Sequence, residues 1–201
     1  LKQTRQHYHQ RLVEVLEEHF PEVVSTQPEL VAHHAAAAGR TAQAIAYWQR
    51  AGQHAFDKSA YQEAEAHLKN GLALVQTLPS SPERTPHELD LHVALGPILM
   101  ITHGVDTPEV EHVYTRAYAL CQQVEETPQL FPTLRGLWYF YYARGPAQTA
   151  RELAERLLAL AQTQQDPVML REAHMALGLA LYHEVALTSA LHHLEHGLTL
   201  C

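Results

Sequence analysis

The 201-residue chain is 46% hydrophobic and 18% charged, a balance that can bury a core and that excludes a disordered polar chain. Its formal charge is −8 and its 14 Lys and Arg are scattered, so no basic stripe exists to neutralise a phosphate backbone and direct nucleic-acid binding is not expected. The two cysteines, Cys121 and Cys201, are too few and too far apart for a disulfide framework and fit free thiols of a reducing compartment, so a cytoplasmic protein is expected.

The longest apolar run, Val93 to Ile101, falls well short of the roughly 20 residues of a membrane span. Nothing at the start has the pattern of a signal peptide. Leu1 and Cys201 both lie inside helical patterns, which reads as a segment of a longer protein.

Taken in order, residues 4–19 place Tyr8, Leu12, Val15 and Leu16 at helical spacing, with Phe20–Pro21 ending the run. Residues 1–24 are therefore read as a helix joining a preceding module. Gln27–Pro28 opens a second helix that stops near Gly39. A third spans about 41–58, and a fourth carries Ala64, Leu68 and Gly71. Residues 25–78 thus form a first set of repeats. The stretch 79–87, rich in proline and serine, reads as a loop. Helical spacing resumes with Leu91, Leu95, Ile98 and Leu99, where Pro97 should kink the helix and Gly104 should close it. Thr107-Pro108-Glu109 supplies a cap, a first-turn proline and an acidic residue to a helix reaching about Glu125. Pro128 opens one further pair and Asp166–Pro167 the last, so that 88–201 forms a second set of longer repeats.

Small residues recur on fixed stripes. Trp48-x2-Ala51-Gly52-x2-Ala55 is followed after eight residues by Ala64-x3-Leu68-x2-Gly71. Val31-Ala32-x2-Ala35 followed by Ala44-x3-Trp48-x2-Ala51 repeats that spacing, and so does Leu177-Gly178-x2-Leu181 followed by Ala190-x3-Leu194-x2-Gly197. Small residues on one stripe let two antiparallel helices approach closely. Two overlapping matches require the helix at 41–58 to pack against both its neighbours. This pattern closely resembles the tetratricopeptide (TPR) repeat, although Gly96, Gly136 and Gly178 recur at roughly 40 residues against a usual repeat of about 34. No segment alternates long enough for a strand. The expected fold is all-α, a TPR-like right-handed superhelical array of about ten antiparallel helices in one continuous solenoid.

The 16 histidines stand out. His192 and His196 form an i,i+4 pair able to share a zinc ion, with His193 between them, but no nearby Glu or Cys completes a ligand set. Neighbouring histidines on a helix point about 100° apart and cannot chelate as a unit, a reading applied to His33–His34 and to His7 and His9. A polar face is the reading preferred at each, with no metal assigned. No nucleophile motif and no glycine-rich phosphate loop occurs, so neither catalytic residues nor a cofactor are expected.

Leu137 is followed by five consecutive aromatics, Trp138 to Tyr142, which together cover every face of a helix. In TPR-like arrays the first helix of each pair lines the concave surface and binds peptides or partner segments. That resemblance implies that Leu137, Phe140 and Tyr141 face a groove. Their counterparts in the other helices are His33, Gln53, Phe56, Asp57, Met100, Ile101, Tyr182 and His183. A second reading is a small-molecule or short-peptide receptor with a pocket of Trp138, Tyr141, Tyr182 and His183.

Three phrases are more specific: Tyr8-His9-Gln10-Arg11-Leu12 leading to Leu16-Glu17-Glu18-His19-Phe20-Pro21-Glu22, Gln27-Pro28-Glu29-Leu30-Val31-Ala32-His33-His34, and Ala44-Ile45-Ala46-Tyr47-Trp48-Gln49-Arg50-Ala51-Gly52. They resemble the junction between the ATPase module and the TPR region of bacterial STAND-type signalling ATPases, found in multidomain proteins linked to adenylate or guanylate cyclases or to DNA-binding outputs. The resemblance implies a non-catalytic sensor and scaffold arm. Its partner would be a protein, a peptide or another domain of the same chain, with no membrane or nucleic acid.

Overall fold

The computed structural model describes residues 2–79, 84–124 and 127–200. Residues 80–83 of the expected loop, Glu125 at the expected end of one helix, and Cys201 lie outside them. Eleven α-helices account for nearly all of the described chain. They are α1 Lys2–His19, α2 Pro21–Thr26, α3 Pro28–Ala37, α4 Thr41–Asp57, α5 Tyr61–Thr77, α6 Arg84–His103, α7 Pro108–Cys121, α8 Leu130–Arg144, α9 Ala147–Gln164, α10 Pro167–His183 and α11 Leu187–Thr199.

The chain divides into two compact units, Leu1–Thr102 and His103–Cys201. In the first, α4 packs on α3 and on α5, the two-sided contact that overlapping stripes demand. Val31, Ala32, Ala35, Ala44, Ala51 and Trp48 form its centre with Val13 and Leu16 of α1. An ideal Cβ built on Gly52 would lie 2.5 Å from Leu68 Cδ2, so α4 and α5 meet at a distance that only glycine permits. Polar ties seat α1 on the hairpin. Arg40 donates to Glu14 at 2.7 Å, and Gln43 and the Tyr47 hydroxyl donate to Glu17 at 2.8 and 2.6 Å. Burial, with Glu17 beside the phenol, pushes Tyr47 up to about 12.

In the second unit α8 packs on α7 and α9, and α10 on α9 and α11. Gly136 faces the ring of buried Tyr114, and Gly178 faces Leu194. Arg151 of α9 reaches Glu184 at 3.3 Å.

Three helix-to-helix turns share one backbone arrangement. At Gly39, Ser59 and Val185 the chain takes φ of 78°, 60° and 62°. In each turn that residue's N–H reaches back three residues and the next N–H reaches back five, as in Arg40 N to Ala35 O, Ala60 N to Ala55 O and Ala186 N to Leu181 O. This is the left-handed C-terminal stop that favours glycine. Only the first turn supplies one.

Several boundaries differ from expectation. Pro21 ends α1 but also opens the six-residue α2, whose Ser25 and Thr26 hydroxyls donate back to the Glu22 carbonyl, which raises the helix count from about ten to eleven. Helix α6 starts at Arg84, so Thr85, Pro86 and His87 are its first turn rather than loop. It continues through Pro97 to His103 without breaking, and Gly104 follows at φ 99°. Thr107 holds the N-cap position of α7 but does not cap it, because its hydroxyl donates to the Gly104 carbonyl at 3.3 Å. Asp166 does cap α10, accepting from the Val168 and Met169 N–H groups at 2.8 and 3.0 Å.

Candidate interaction surface

In the first unit, the face of α4 that carries Gln53 and Asp57 is set by its opposite stripe, Ala44, Tyr47, Trp48, Ala51 and Ala55, which is buried. Gln53 and Asp57 are exposed and hydrogen bonded to each other at 2.7 Å. Phe56 is half-buried against the edge of Tyr61, with ring centroids 5.7 Å apart. On α3, His33 is exposed and rests edge-on at 4.6 Å from Trp48, which also stacks on His67 at 5.4 Å. The surface residue thus sits directly on the residue that fills the repeat contact. On α6, Ile101 is 52% exposed and Met100 is half-buried.

In the second unit the aromatic run divides. Leu137 and Phe140 are core residues at 6% exposure each and do not face outward. The reason is register: the side of α8 that carries Leu134, Leu137, Trp138 and Phe140 is enclosed by its neighbours. Tyr141 is half-buried, and its hydroxyl donates to Glu111 of α7 at 3.3 Å; burial and that carboxylate raise its pKa. Tyr182 and His183 are exposed at the end of α10. His183 meets Tyr142 at 4.6 Å, and Tyr142 in turn stacks on Trp138 at 4.9 Å, making a short aromatic ladder from core to surface.

A cleft of about 410 Å³ lies beside Trp138, on the sides of α8, α10 and α11. Trp138 is the one member of the expected receptor pocket that lines it; Tyr141, Tyr182 and His183 do not. Arg135 and Tyr139 of α8, Arg171 and Met175 of α10 and Leu198 of α11 complete its main walls. Arg135 donates through one Nη to both carboxylate oxygens of Glu172, at 3.1 and 2.9 Å. Sequence reasoning missed this cleft. The signal available was the i,i+3,i+4 set Arg135, Trp138 and Tyr139, but nothing in the sequence placed α11 beside it.

The histidines pair across helices. His9 Nδ1 lies 2.9 Å from His34 Nδ1, and His174 Nδ1 lies 3.0 Å from His193 Nδ1, with His196 stacked on His174 at 4.3 Å. Burial, with neighbouring imidazoles adding to it, lowers the pKa of His34, His174 and His193. Among the described residues no group of three or more His, Cys, Asp or Glu is placed to hold a metal ion. None of their helices is long and apolar enough to cross a membrane.

No family model matches the sequence. An uncharacterised protein of Rhizobium meliloti (strain 1021) is 28% identical over 140 residues, which cover 69% of this chain and 14% of that protein. The fold is similar to that of BtubC (BKLC) from P. vanneervenii, with a TM-score of 0.67 at 16% identity over 99% of this chain and 90% of that one. It is also similar, with a TM-score of 0.65 at 17% identity, to a Podosopora anserina kinesin light chain-like protein with nearly identical TPR-like repeats, over 100% of this chain and 96% of that one. The fold is therefore that of TPR-like helical repeat proteins.

Proposed function

We propose that the chain is a protein-interaction and regulatory arm of a larger bacterial signalling protein of the STAND ATPase type, contributing binding rather than chemistry. The observation that carries this reading is the division of labour on α4. One stripe is consumed by close packing on α3 and α5, while Gln53 and Asp57 stand exposed on the opposite side, hydrogen bonded to each other. Helical hairpins of this kind present whole faces to a protein or peptide partner, or to another domain of the same chain. Support for a longer parent comes from the bacterial relative, of which the aligned region is only 14%. The resemblance of the segments around Tyr8, Gln27 and Ala44 to the start of a TPR tail supports a position for the arm after an ATPase module.

In this mechanism partner capture by the arm imposes or relieves restraint on the ATPase and its output domain. Deleting residues 25–201 from the full-length parent should change how its nucleotide hydrolysis responds to stimulus while leaving the hydrolysis itself intact. An identical response with and without the arm would refute the reading.

A further inference from the structure

We propose that the cleft between α8, α10 and α11 binds a small amphipathic carboxylate, an aromatic or branched aliphatic body bearing one negative charge. This inference goes beyond the scaffold reading and does not rest on it, since Gln53 and Asp57 of α4 do not line the cleft.

The volume, about 410 Å³, falls in the usual range of small-molecule sites. Its walls are largely apolar. Trp138 lines it but is only 3% exposed, so the apolar surface open to a ligand comes mainly from Met175, Leu179 and Leu198. An apolar body is therefore favoured by the water it displaces.

Charge selects the rest of the ligand. Three ionised side chains line the cleft: Arg135, Glu172 and Arg171. The first two neutralise each other through the paired hydrogen bonds to Glu172. Arg171 has no hydrogen-bond or ion-pair partner among the described residues, so the lining carries one uncompensated positive charge in a chain whose formal charge is −8. The guanidinium of half-buried Arg171, beside apolar walls, gains most from a planar carboxylate, which accepts two of its N–H donors at once. A dianion would meet Glu172 without a second free cation, so the occupant carries a single negative charge.

The test uses the 201-residue chain, 3-phenylpropionate and indole-3-acetate as probes, and their uncharged amides as controls. The chain has two tryptophans, so the indole N–H resonance of Trp138 can be assigned by comparison with Trp48→Phe. At least one carboxylate should shift the Trp138 resonance saturably at or below about 1 mM and leave Trp48 in place. Its amide should bind at least about tenfold more weakly, the loss expected for a charge-assisted pair. Arg171→Gln should erase that preference, and Leu198→Glu, at an exposed position, should repel the carboxylate with the helical melting curve unchanged. No saturable shift with either carboxylate, equal binding of carboxylate and amide, or unaltered binding by Arg171→Gln would each overturn the proposal.

Discussion

Replacing Gly52 with alanine puts a methyl carbon 2.5 Å from Leu68 Cδ2 and 2.6 Å from Leu68 Cγ. Leu68 is wholly buried, so its side chain has no solvent to retreat into, and the branch carbon itself must move. Alanine favours the helix by about 1 kcal/mol over glycine. Overfilling a packed contact costs about 1–3 kcal/mol, and contacts this short belong at the upper end of that range. The net expectation is a loss of about 1–2 kcal/mol. Gly71 is the internal control, since it belongs to the same stripe pattern and is also buried. A Cβ there would stand 3.0 Å from Leu91 Cδ2 and 3.3 Å from Trp48 Cβ, so a shift of a few tenths of an ångström relieves it. Gly71→Ala should therefore be neutral or gain up to about 1 kcal/mol. At about 2–4 °C per kcal/mol for a chain of this length, the two variants should melt several degrees apart. Parallel thermal and urea denaturation followed by helical circular dichroism measures the gap. Melting temperatures within about a degree of each other would refute the close-approach argument at Gly52.

Val185 is a β-branched residue at φ 62° and 75% exposed, so Val185→Gly should relieve backbone strain without touching the core. The expected gain is about 1 kcal/mol, and a melting temperature that did not rise would contradict the left-handed turn. His34, His174 and His193 are held below the ordinary value of 6.5, so the folded chain binds fewer protons than the unfolded one. The stability they contribute is present above 6.5 and is lost as pH falls through their folded values. The urea midpoint should accordingly drop between pH 7.5 and 5.5. His174→Leu, which removes the imidazole facing His192, His193 and His196, should flatten that dependence, and an unchanged slope would count against the pairing. Cys121 is buried and its pKa raised by that burial, so in a Cys201→Ser variant it should resist thiol reagents at mildly alkaline pH until denaturant is added. Rapid modification of the native variant would argue that α7 and α8 open there.

The sequence revealed the repeat contacts because close approach is written in local spacing. Ala51, Gly52 and Ala55 mark one stripe and Leu68 its filler, and their meeting in space needs only an antiparallel turn between them. Gly178 and Leu194 repeat the same logic. The aromatic run resisted reading for the opposite reason. Five consecutive rings cover all faces of α8, so periodicity could not assign Leu137 and Phe140 to the core or Tyr139 to the surface. Only the positions of α7 and α9 decide that. Thr107 departs from expectation because a hydroxyl at a helix start has competing acceptors and donors within reach, and the Gly104 turn offers a carbonyl first. The cleft beside Trp138 draws its walls from three helices, a relation that no single window of sequence contains.

The turns at Gly39, Ser59 and Val185 also govern how this chain tolerates insertions and deletions. Each one joins the end of a helix to the start of the next over three residues that are held by backbone hydrogen bonds. One residue added inside such a turn would rotate the following helix by about 100° and carry its small stripe away from its neighbour. Removing a whole helix pair with its turn keeps every remaining stripe in phase. Length variation among related chains is therefore expected to come in complete hairpins, and not as single residues in the three tight turns.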